Sequence, residues 1–158
     1  HGLKDRNNVE IFGYNSRLDT IQAAVANYKM KFKLDNITKK RIENSKLLDK
    51  LLAKNKNITL IKREKYLKEV FHLYHINVNK NKRDSLQKFL IKNDIDAKVH
   101  YPIPIHLQKA AKFLKYNKGD FPVSEKLAKT SLSLPVHEFI NKKHVAHVVN
   151  TINKFYKL

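Results

Sequence analysis

The sequence predicts an α+β fold in which helices surround a small, mostly antiparallel sheet. Apolar residues recur at helical spacing near both ends of the chain, whereas β-branched and aromatic residues are concentrated between these regions, where the period shifts toward two. The chain has 158 residues, of which 42% are hydrophobic. A chain of this length buries roughly 70% of its unfolded surface, so it can form a real core.

Two long helices are predicted first. The first spans Asn15–Phe32, with Asn15 or Ser16 as its N-cap and Asp19 in its first turn. The second covers Ile37–Lys54, with apolar residues on one face and lysine and arginine on the other. Both helices are therefore expected to be solvated on one side.

The remaining elements follow from alternation and from the positions of proline and glycine. Pro102 and Pro104 fix their own φ angles and push the preceding residues out of the helical region, so Ile103–Leu107 is predicted to be a rigid extended loop. The other predicted elements, in chain order, are strands at Ile58–Lys62 and Val70–Val78, a helix at Arg83–Ile91, a strand at Ile95–Tyr101, a turn at Gly119–Pro122, a helix at Val123–Thr130 opened by Ser124, an extended piece at Leu132–Leu134 and a closing helix at Lys142–Phe155.

The net charge raises one alternative function. Lysine and arginine number 33 against 14 aspartates and glutamates, which gives a formal charge of +19 and a pI near 10.0. Such a balance can mark a nucleic-acid-binding module. The lysines are scattered along the whole chain, however, which favours a general residue bias or a solvated surface. Nucleic acid is therefore not expected as a partner.

Missing residue types and segments exclude further classes. The sequence has no cysteine, so disulfides, thiolate metal sites and cysteine nucleophiles are excluded. The histidines lack the spacing of metal ligands, so no metal is expected. No apolar run approaches the ~20 residues needed to cross a bilayer, and the first residues lack the apolar stretch of a signal peptide. We therefore expect a cytoplasmic protein with no membrane partner.

The segment 13–17 could bind an anion. It places the amide of Asn15 and the guanidinium of Arg17 at a predicted helix N-terminus, where free backbone N–H groups favour negative charge. Plain helix capping by Asn15 or Ser16 is the alternative.

The segment 100–106 could face a ligand. His100 and Tyr101 end a predicted strand and open the Pro-Ile-Pro loop that leads to His106, so two titratable rings and a phenol are held on stiff backbone. The alternative is that these rings fill a crevice between sheet and helices. A serine nucleophile is excluded, because Ser131 and Ser133 have neither an elbow motif nor a flanking glycine.

Several motifs, taken in order, resemble the DegT/DnrJ/StrS-type sugar aminotransferases. They are GYNSRLDTIQAA at 13–24, HLYH at 72–75, HYPIPIHLQ at 100–108 and GDFP at 119–122, followed by SLSLP at 131–135. The similarity runs nearly end to end. The opening His1-Gly2 also resembles the segment that follows the cofactor-lysine region of that family.

The resemblance implies the C-terminal portion of a fold-type-I, aspartate aminotransferase-like enzyme. Such an enzyme is a homodimer whose pyridoxal 5'-phosphate forms a Schiff base with a lysine of a large domain upstream of this chain. Residues 1–56 would be long helices that link to that domain, and residues 57–158 would form a small α+β domain. No lysine of this sequence sits in the family's lysine motif, so no catalytic residue is assigned here, and the chain alone would be inactive.

The resemblance also implies a reaction and a set of binding residues. The intact enzyme would transfer an amino group from glutamate to a nucleotide-linked keto-sugar, with the motif closest to members that aminate a 3-keto-6-deoxyhexose, for a surface polysaccharide or glycoconjugate. Asn15 would reach the cofactor phosphate of the other subunit across the dimer interface. Arg17, His100, Tyr101 and His106 would bind the substrate. A catalytically silent relative and a basic nucleic-acid-binding module are the alternatives.

Overall fold

The computed structural model describes residues 2–16 and 18–158. Within them, a three-stranded antiparallel sheet has the order β1-β2-β3, with β1 at Ile58–Leu60, β2 at Tyr74–Val78 and β3 at Ser131–Leu134. The described residues also form the helices α1 (Thr20–Phe32), α2 (Leu34–Leu52), α3 (Arg83–Lys92), α4 (Pro122–Thr130) and α5 (Lys142–Tyr156), and 3-10 turns at Ile105–Leu107 and Lys109–Leu114. The predicted α+β class, with a small antiparallel sheet and flanking helices, is confirmed.

The two faces of the central strand β2 have different roles. Tyr74, Ile76 and Val78 are buried in the core, while His75 and Asn77 point the other way and are half-buried. This follows from the two-residue period of a strand. The sheet therefore covers a core with one face and offers polar side chains on the other.

The core lies between the apolar face of the sheet and three helices. Each helix contributes aliphatic side chains that are almost completely buried: Leu48 and Leu52 of α2, Leu86 and Leu90 of α3, and Val145 and Ile152 of α5. Burying each such side chain contributes about 1.5–3 kcal/mol relative to leaving it exposed. This packing fixes the sheet, and with it the positions of His75 and Asn77.

Helix α1 begins later than predicted. Asp19, and not Asn15 or Ser16, is its N-cap, because the Asp19 backbone is extended and its carboxylate accepts the Gln22 N–H at 2.8 Å. Asp19 lies one turn further along the chain than the predicted cap and has the same capping chemistry. Asn15 is thereby left free of any role in capping this helix.

Two predicted strands differ from the structure because the backbone turns at a positive φ angle: one is shorter than expected and one does not form. Phe71 has φ 51°, and β2 accordingly begins at Tyr74 and not at Val70. The predicted strand Ile95–Tyr101 is wrong, since only Lys98 pairs with a strand residue, Ser133. Asp94 and Tyr101 have φ angles of 60° and 57°, so the chain bends at both ends of this segment.

The predicted extended loop after Pro102 is also wrong in part. Ile105–Leu107 forms a 3-10 turn, in which the Leu107 N–H donates to the Pro104 carbonyl at 3.0 Å. The fixed φ of Pro104 fits the residue before such a turn, so the proline starts the turn and does not prevent it. Among the described residues, no helix combines the length and the apolar character required to span a membrane.

Candidate functional site

A cleft of about 1410 Å³ opens on the polar face of the sheet. Its walls are apolar and come from three regions of the chain: Leu3, Val9 and Phe12 near the start, Ile103 and Ile105 in the central loop, and Phe121, Val123 and Leu127 around α4. Apolar walls around a few polar groups are the usual composition of a small-molecule site.

The bottom of this cleft is a polar floor formed by His75, Asn77, His100 and Ser131. The antiparallel register sets Asn77 opposite Ser131, and the Ser131 hydroxyl donates to Asn77 Oδ1 at 3.0 Å. The bridge between Lys98 and Ser133 brings His100 alongside the same strand. Residues from three separate segments therefore meet on one surface.

The two histidines of the polar floor share a serine. Ser133 Oγ lies 2.9 Å from His100 Nδ1 and 3.0 Å from His75 Nδ1. The rings are perpendicular, with centroids 6.1 Å apart. Ser133 itself is buried, at 3% exposure.

The electrostatic surroundings keep both rings neutral. Burial, and then the proximity of His100, lower the pKa of His75. Burial also lowers the pKa of His100, followed by the charges of Arg6, Lys98 and His72. Since the ordinary histidine pKa is about 6.5, both imidazoles are uncharged at neutral pH. A neutral ring can donate one hydrogen bond and accept another, which suits a ligand with hydroxyl groups.

The structure brings three of the five predicted site residues to this cleft. Asn15, His100 and Tyr101 line it. Tyr101 is 82% exposed, and its ring centroid lies 6.3 Å from that of His100. Arg17 lies outside the described residues.

The fifth residue, His106, is buried behind the cleft wall and is not part of its lining. Its Nε2 lies 3.2 Å from Glu125 Oε1, and its ring packs on Phe121 with centroids 4.8 Å apart. The Gly119 N–H donates to the same Glu125 oxygen at 2.6 Å. Because Phe121 lines the cleft, His106 supports the wall in this structure, and its contact with substrate stays a prediction.

The segment that carries Asn15 is held at the cleft by Gln108. The side chain of Gln108 accepts the Val9 N–H at 3.0 Å and donates to the Asn7 carbonyl at 2.9 Å. Gly2 allows the tight turn before this segment: its φ is +74°, and a Cβ there would meet the Ile11 carbonyl oxygen at 2.0 Å. The last residue of the HYPIPIHLQ motif thus positions the start of the chain.

Sequence reasoning missed Asn77, Ser131 and Ser133 as parts of the site. The sequence motifs exclude Ser131 and Ser133 as nucleophiles and indicate no other role for them. A signal was present, because polar residues alternate with apolar ones in both HIN at 75–77 and SLS at 131–133. That alternation predicts two strands that share one polar face.

The residues present fit only part of a pyridoxal phosphate site. Asn15 offers an amide N–H that could donate to a phosphate oxygen. No lysine is found among the described residues that line the cleft. No group of three or more histidine, aspartate or glutamate side chains in the described part of the chain could hold a metal ion.

Solved aminotransferase structures share this fold. The chain superimposes on S. venezuelae DesV with a TM-score of 0.81 and 28% identity, covering 99% of this chain and 42% of that one. For Helicobacter pylori PseC, an aminotransferase of pseudoaminic acid biosynthesis, the TM-score is 0.76 at 26% identity, with 99% and 43% covered. The fold is thus that of one part of an aminotransferase.

The family follows from the sequence comparison. The model of the DegT/DnrJ/EryC1/StrS aminotransferase family matches residues 1–153, and the chain belongs to this family. It is 35% identical over 158 residues to the pleiotropic regulatory protein of Geobacillus stearothermophilus, covering 99% of this chain and 42% of the relative. It is 32% identical over 143 residues to the dTDP-3-amino-3,6-dideoxy-alpha-D-galactopyranose transaminase of Aneurinibacillus thermoaerophilus, covering 90% and 38%.

The chain spans about 40% of the length of the curated relatives it matches. The resemblance to the C-terminal part of this family, drawn from the sequence motifs, is confirmed.

Proposed function

We propose that the protein carrying this chain is a pyridoxal-phosphate-dependent aminotransferase that moves an amino group from glutamate to a nucleotide-linked keto-sugar. The observation that carries the proposal is that Asn15 meets His100 and Tyr101, which are distant from it in sequence, on one apolar-walled cleft in a member of this family. When bound, the cofactor supplies an electron sink for the amino transfer.

The chain's own residues bind and orient the substrate. The neutral imidazole of His100 and the exposed phenol of Tyr101 offer hydrogen bonds to sugar hydroxyls. The apolar walls limit the access of water to the bound sugar. Arg6 and Lys98 lie close enough to lower the pKa of His100, so positive charge stands beside the cleft, where it would favour a substrate with a diphosphate.

The position of the amino group is a finer part of the proposal. The Aneurinibacillus thermoaerophilus relative and one from Streptomyces venezuelae are named as transaminases of dTDP-linked 3-amino sugars. These names support a 3-keto-6-deoxyhexose as the substrate class. We further propose that the protein is a homodimer in which Asn15 contacts the cofactor phosphate of the other subunit. We also propose a cytoplasmic location, and a boundary at residue 56 between the linking helices and the C-terminal domain.

The first experiment is spectroscopic and uses the full-length protein with added pyridoxal phosphate. We expect an absorption band that borohydride reduction abolishes and that glutamate converts to the spectrum of the amine form. Nucleotide-linked 3-keto-sugars should then restore the original spectrum. If no reducible band forms, the catalytically silent relative is the better assignment. Tight, salt-sensitive DNA binding would instead support the basic module.

Asn15→Ala tests the cofactor contact. Removing one hydrogen bond to a charged acceptor should cost about 1.5–3 kcal/mol, which is roughly a ten- to hundredfold rise in the Kd of pyridoxal phosphate. Ser16→Ala is the matched control, because Ser16 is the exposed neighbour. Fluorescence titration of the cofactor-free proteins measures both. Equal affinities in the two variants would contradict the role of Asn15.

A further inference from the structure

Ser133, which contacts both histidines of the polar floor, couples the tautomers of the two rings. Ser133 Oγ is within hydrogen-bond distance of the Nδ1 atoms of both His75 and His100. A hydroxyl has one proton, and each neutral imidazole carries its proton on only one nitrogen. If both rings donated to the hydroxyl oxygen, the buried hydroxyl proton would need a further acceptor. Both contacts and the hydroxyl proton are satisfied together when one ring donates to the oxygen and the other accepts the proton.

Backbone hydrogen bonds and strand register fix the position of Ser133 between the two histidines. Its backbone N–H donates to the Lys98 carbonyl at 2.8 Å, and its own carbonyl accepts the Lys98 N–H at 3.0 Å. The register holds His75 directly opposite. Since a buried hydroxyl without partners is energetically unfavourable, the bridged arrangement is favoured.

The coupling of the tautomers determines which Nε2 atom donates a hydrogen bond to a ligand and which accepts one from it. With Nδ1 of each ring engaged by Ser133, the Nε2 atoms are left for the cleft that both residues line. The ring that donates through Nδ1 has an Nε2 that accepts, and the ring that accepts through Nδ1 has an Nε2–H that donates. The polar floor therefore presents one donor and one acceptor.

We propose that His75 is a further sugar-contacting residue, and that Ser133 is a positioning residue that makes His75 and His100 a matched donor and acceptor pair for two substrate hydroxyls. This inference rests on the proposed function, because it takes the ligand to be a sugar. The coupling of the two histidine tautomers through Ser133 does not depend on that function.

Neutron diffraction from crystals of the full-length protein tests the coupling directly. We expect hydrogen on Nδ1 of one ring and on Nε2 of the other. In Ser133→Ala both rings should carry the proton on Nε2, the form that free imidazole side chains favour. Ser131→Ala is the control, because it removes a hydroxyl two residues away that bonds to Asn77 and not to a histidine. Identical tautomers in the unaltered protein, or no change in Ser133→Ala, would overturn the coupling.

Steady-state kinetics test the contact with substrate. Ser133→Ala and His75→Phe should each raise the KM of the nucleotide sugar roughly five- to twentyfold, as expected for a lost or mispaired hydrogen bond, and leave the half-reaction with glutamate unchanged. Ser133→Thr keeps a hydroxyl and should recover most of the affinity. The control is Ser85→Ala, which removes an exposed hydroxyl of α3.

The outcomes separate the two proposals. Equal losses in the glutamate and sugar half-reactions would overturn the sugar contact and indicate a purely structural role. A protein that accepts no keto-sugar at all would overturn the proposed function and the sugar contact together, while the neutron data would still decide the coupling.

Discussion

Tyr74 shows how one buried polar group is satisfied behind the site. Its side chain is fully buried, and its hydroxyl donates to Asp49 Oδ1 at 2.7 Å. Arg63 bridges Asp49 and Glu69, and its guanidinium lies over the rings of Phe71 and Tyr74 at 5.0 and 5.5 Å. Burial, and then the hydrogen bond to Asp49, raise the pKa of Tyr74, so the phenol remains a neutral donor.

Tyr74→Phe should lower the free energy of unfolding by about 1–2 kcal/mol, because the hydrogen bond is lost while Asp49 keeps Arg63 as a partner. Urea unfolding of the full-length protein, monitored by far-ultraviolet circular dichroism, measures the change in the free energy of unfolding. Tyr66→Phe removes the same atom from a side chain that is 82% exposed and should change stability little. Similar losses in both variants would contradict this account of Tyr74.

Single residues of the site could be proposed from sequence motifs. Asn15 lies two residues after a glycine at a predicted helix start, and His100 and Tyr101 precede two prolines; local chemistry leaves their roles open, and the resemblance to the family's motifs assigns them. The partners of His106 and Ser133 could not be proposed in this way. Glu125 is 19 residues from His106, and His75 is 58 from Ser133, and only the folded chain brings such pairs together.

At the scale of elements, helix α4 depends on Glu125 in its first turn. That carboxylate accepts from the Gly119 N–H and lies against His106. The hydrogen bond from Gly119, and then those from His106, lower the pKa of Glu125. A negative charge at this position also interacts favourably with the helix N-terminus. One side chain thus joins the turn, the helix and the loop behind the cleft wall.

Glu125→Gln should loosen this junction, because a neutral acceptor forms weaker hydrogen bonds than a carboxylate. We expect hydrogen exchange of the segment 115–121, including the Gly119 amide, to rise roughly three- to tenfold, since a weaker bond opens more often. Mass spectrometry of peptides from the full-length protein measures it. Lys126→Gln, on the exposed next residue, is the control. Unchanged exchange would mean that Glu125 does not hold the turn.

Helices were more predictable than strands for a physical reason. The helical pattern is local and predicts α2, α3 and α5 close to their observed positions. A strand also needs a partner and a continuous extended backbone. The apolar and β-branched residues at 95–101 satisfy the pattern, yet the positive φ angles of Asp94 and Tyr101 leave only Lys98 paired. At Asp94 the positive φ ends α3, where the Asp94 and Ile95 N–H groups donate to the carbonyls of Ile91 and Leu90.

At the scale of the whole molecule, α1 stands apart from the core. None of its residues is buried, and its apolar side chains are exposed, with Ile21 at 79% and Met30 at 67%. Contiguous exposed apolar surface of this kind normally marks an interface. This exposure supports the proposed homodimer.

The neutral histidine pair makes the stability of the molecule depend on pH. In the unfolded chain these residues take up protons near their ordinary pKa of about 6.5. In the folded chain burial lowers the pKa of both His75 and His100, and the charges of Arg6, Lys98 and His72 lower that of His100 further. Below pH 6.5 the unfolded state therefore binds more protons than the folded state, and the free energy of unfolding falls as the pH decreases.

We expect the melting temperature of the full-length protein to fall as the pH is lowered from 7.5 to 5.5. In this range His75 and His100 bind protons more readily in the unfolded chain than in the folded chain. The double variant His75→Gln and His100→Gln should show a smaller fall, because it removes the two groups responsible. His147→Gln, which replaces an exposed histidine of α5, serves as the control and should keep the slope of the unaltered protein. Calorimetry at three pH values gives these slopes. If the double variant kept the full slope, proton uptake would have to be assigned to other groups, and His75 and His100 would not be the neutral pair that the polar floor requires.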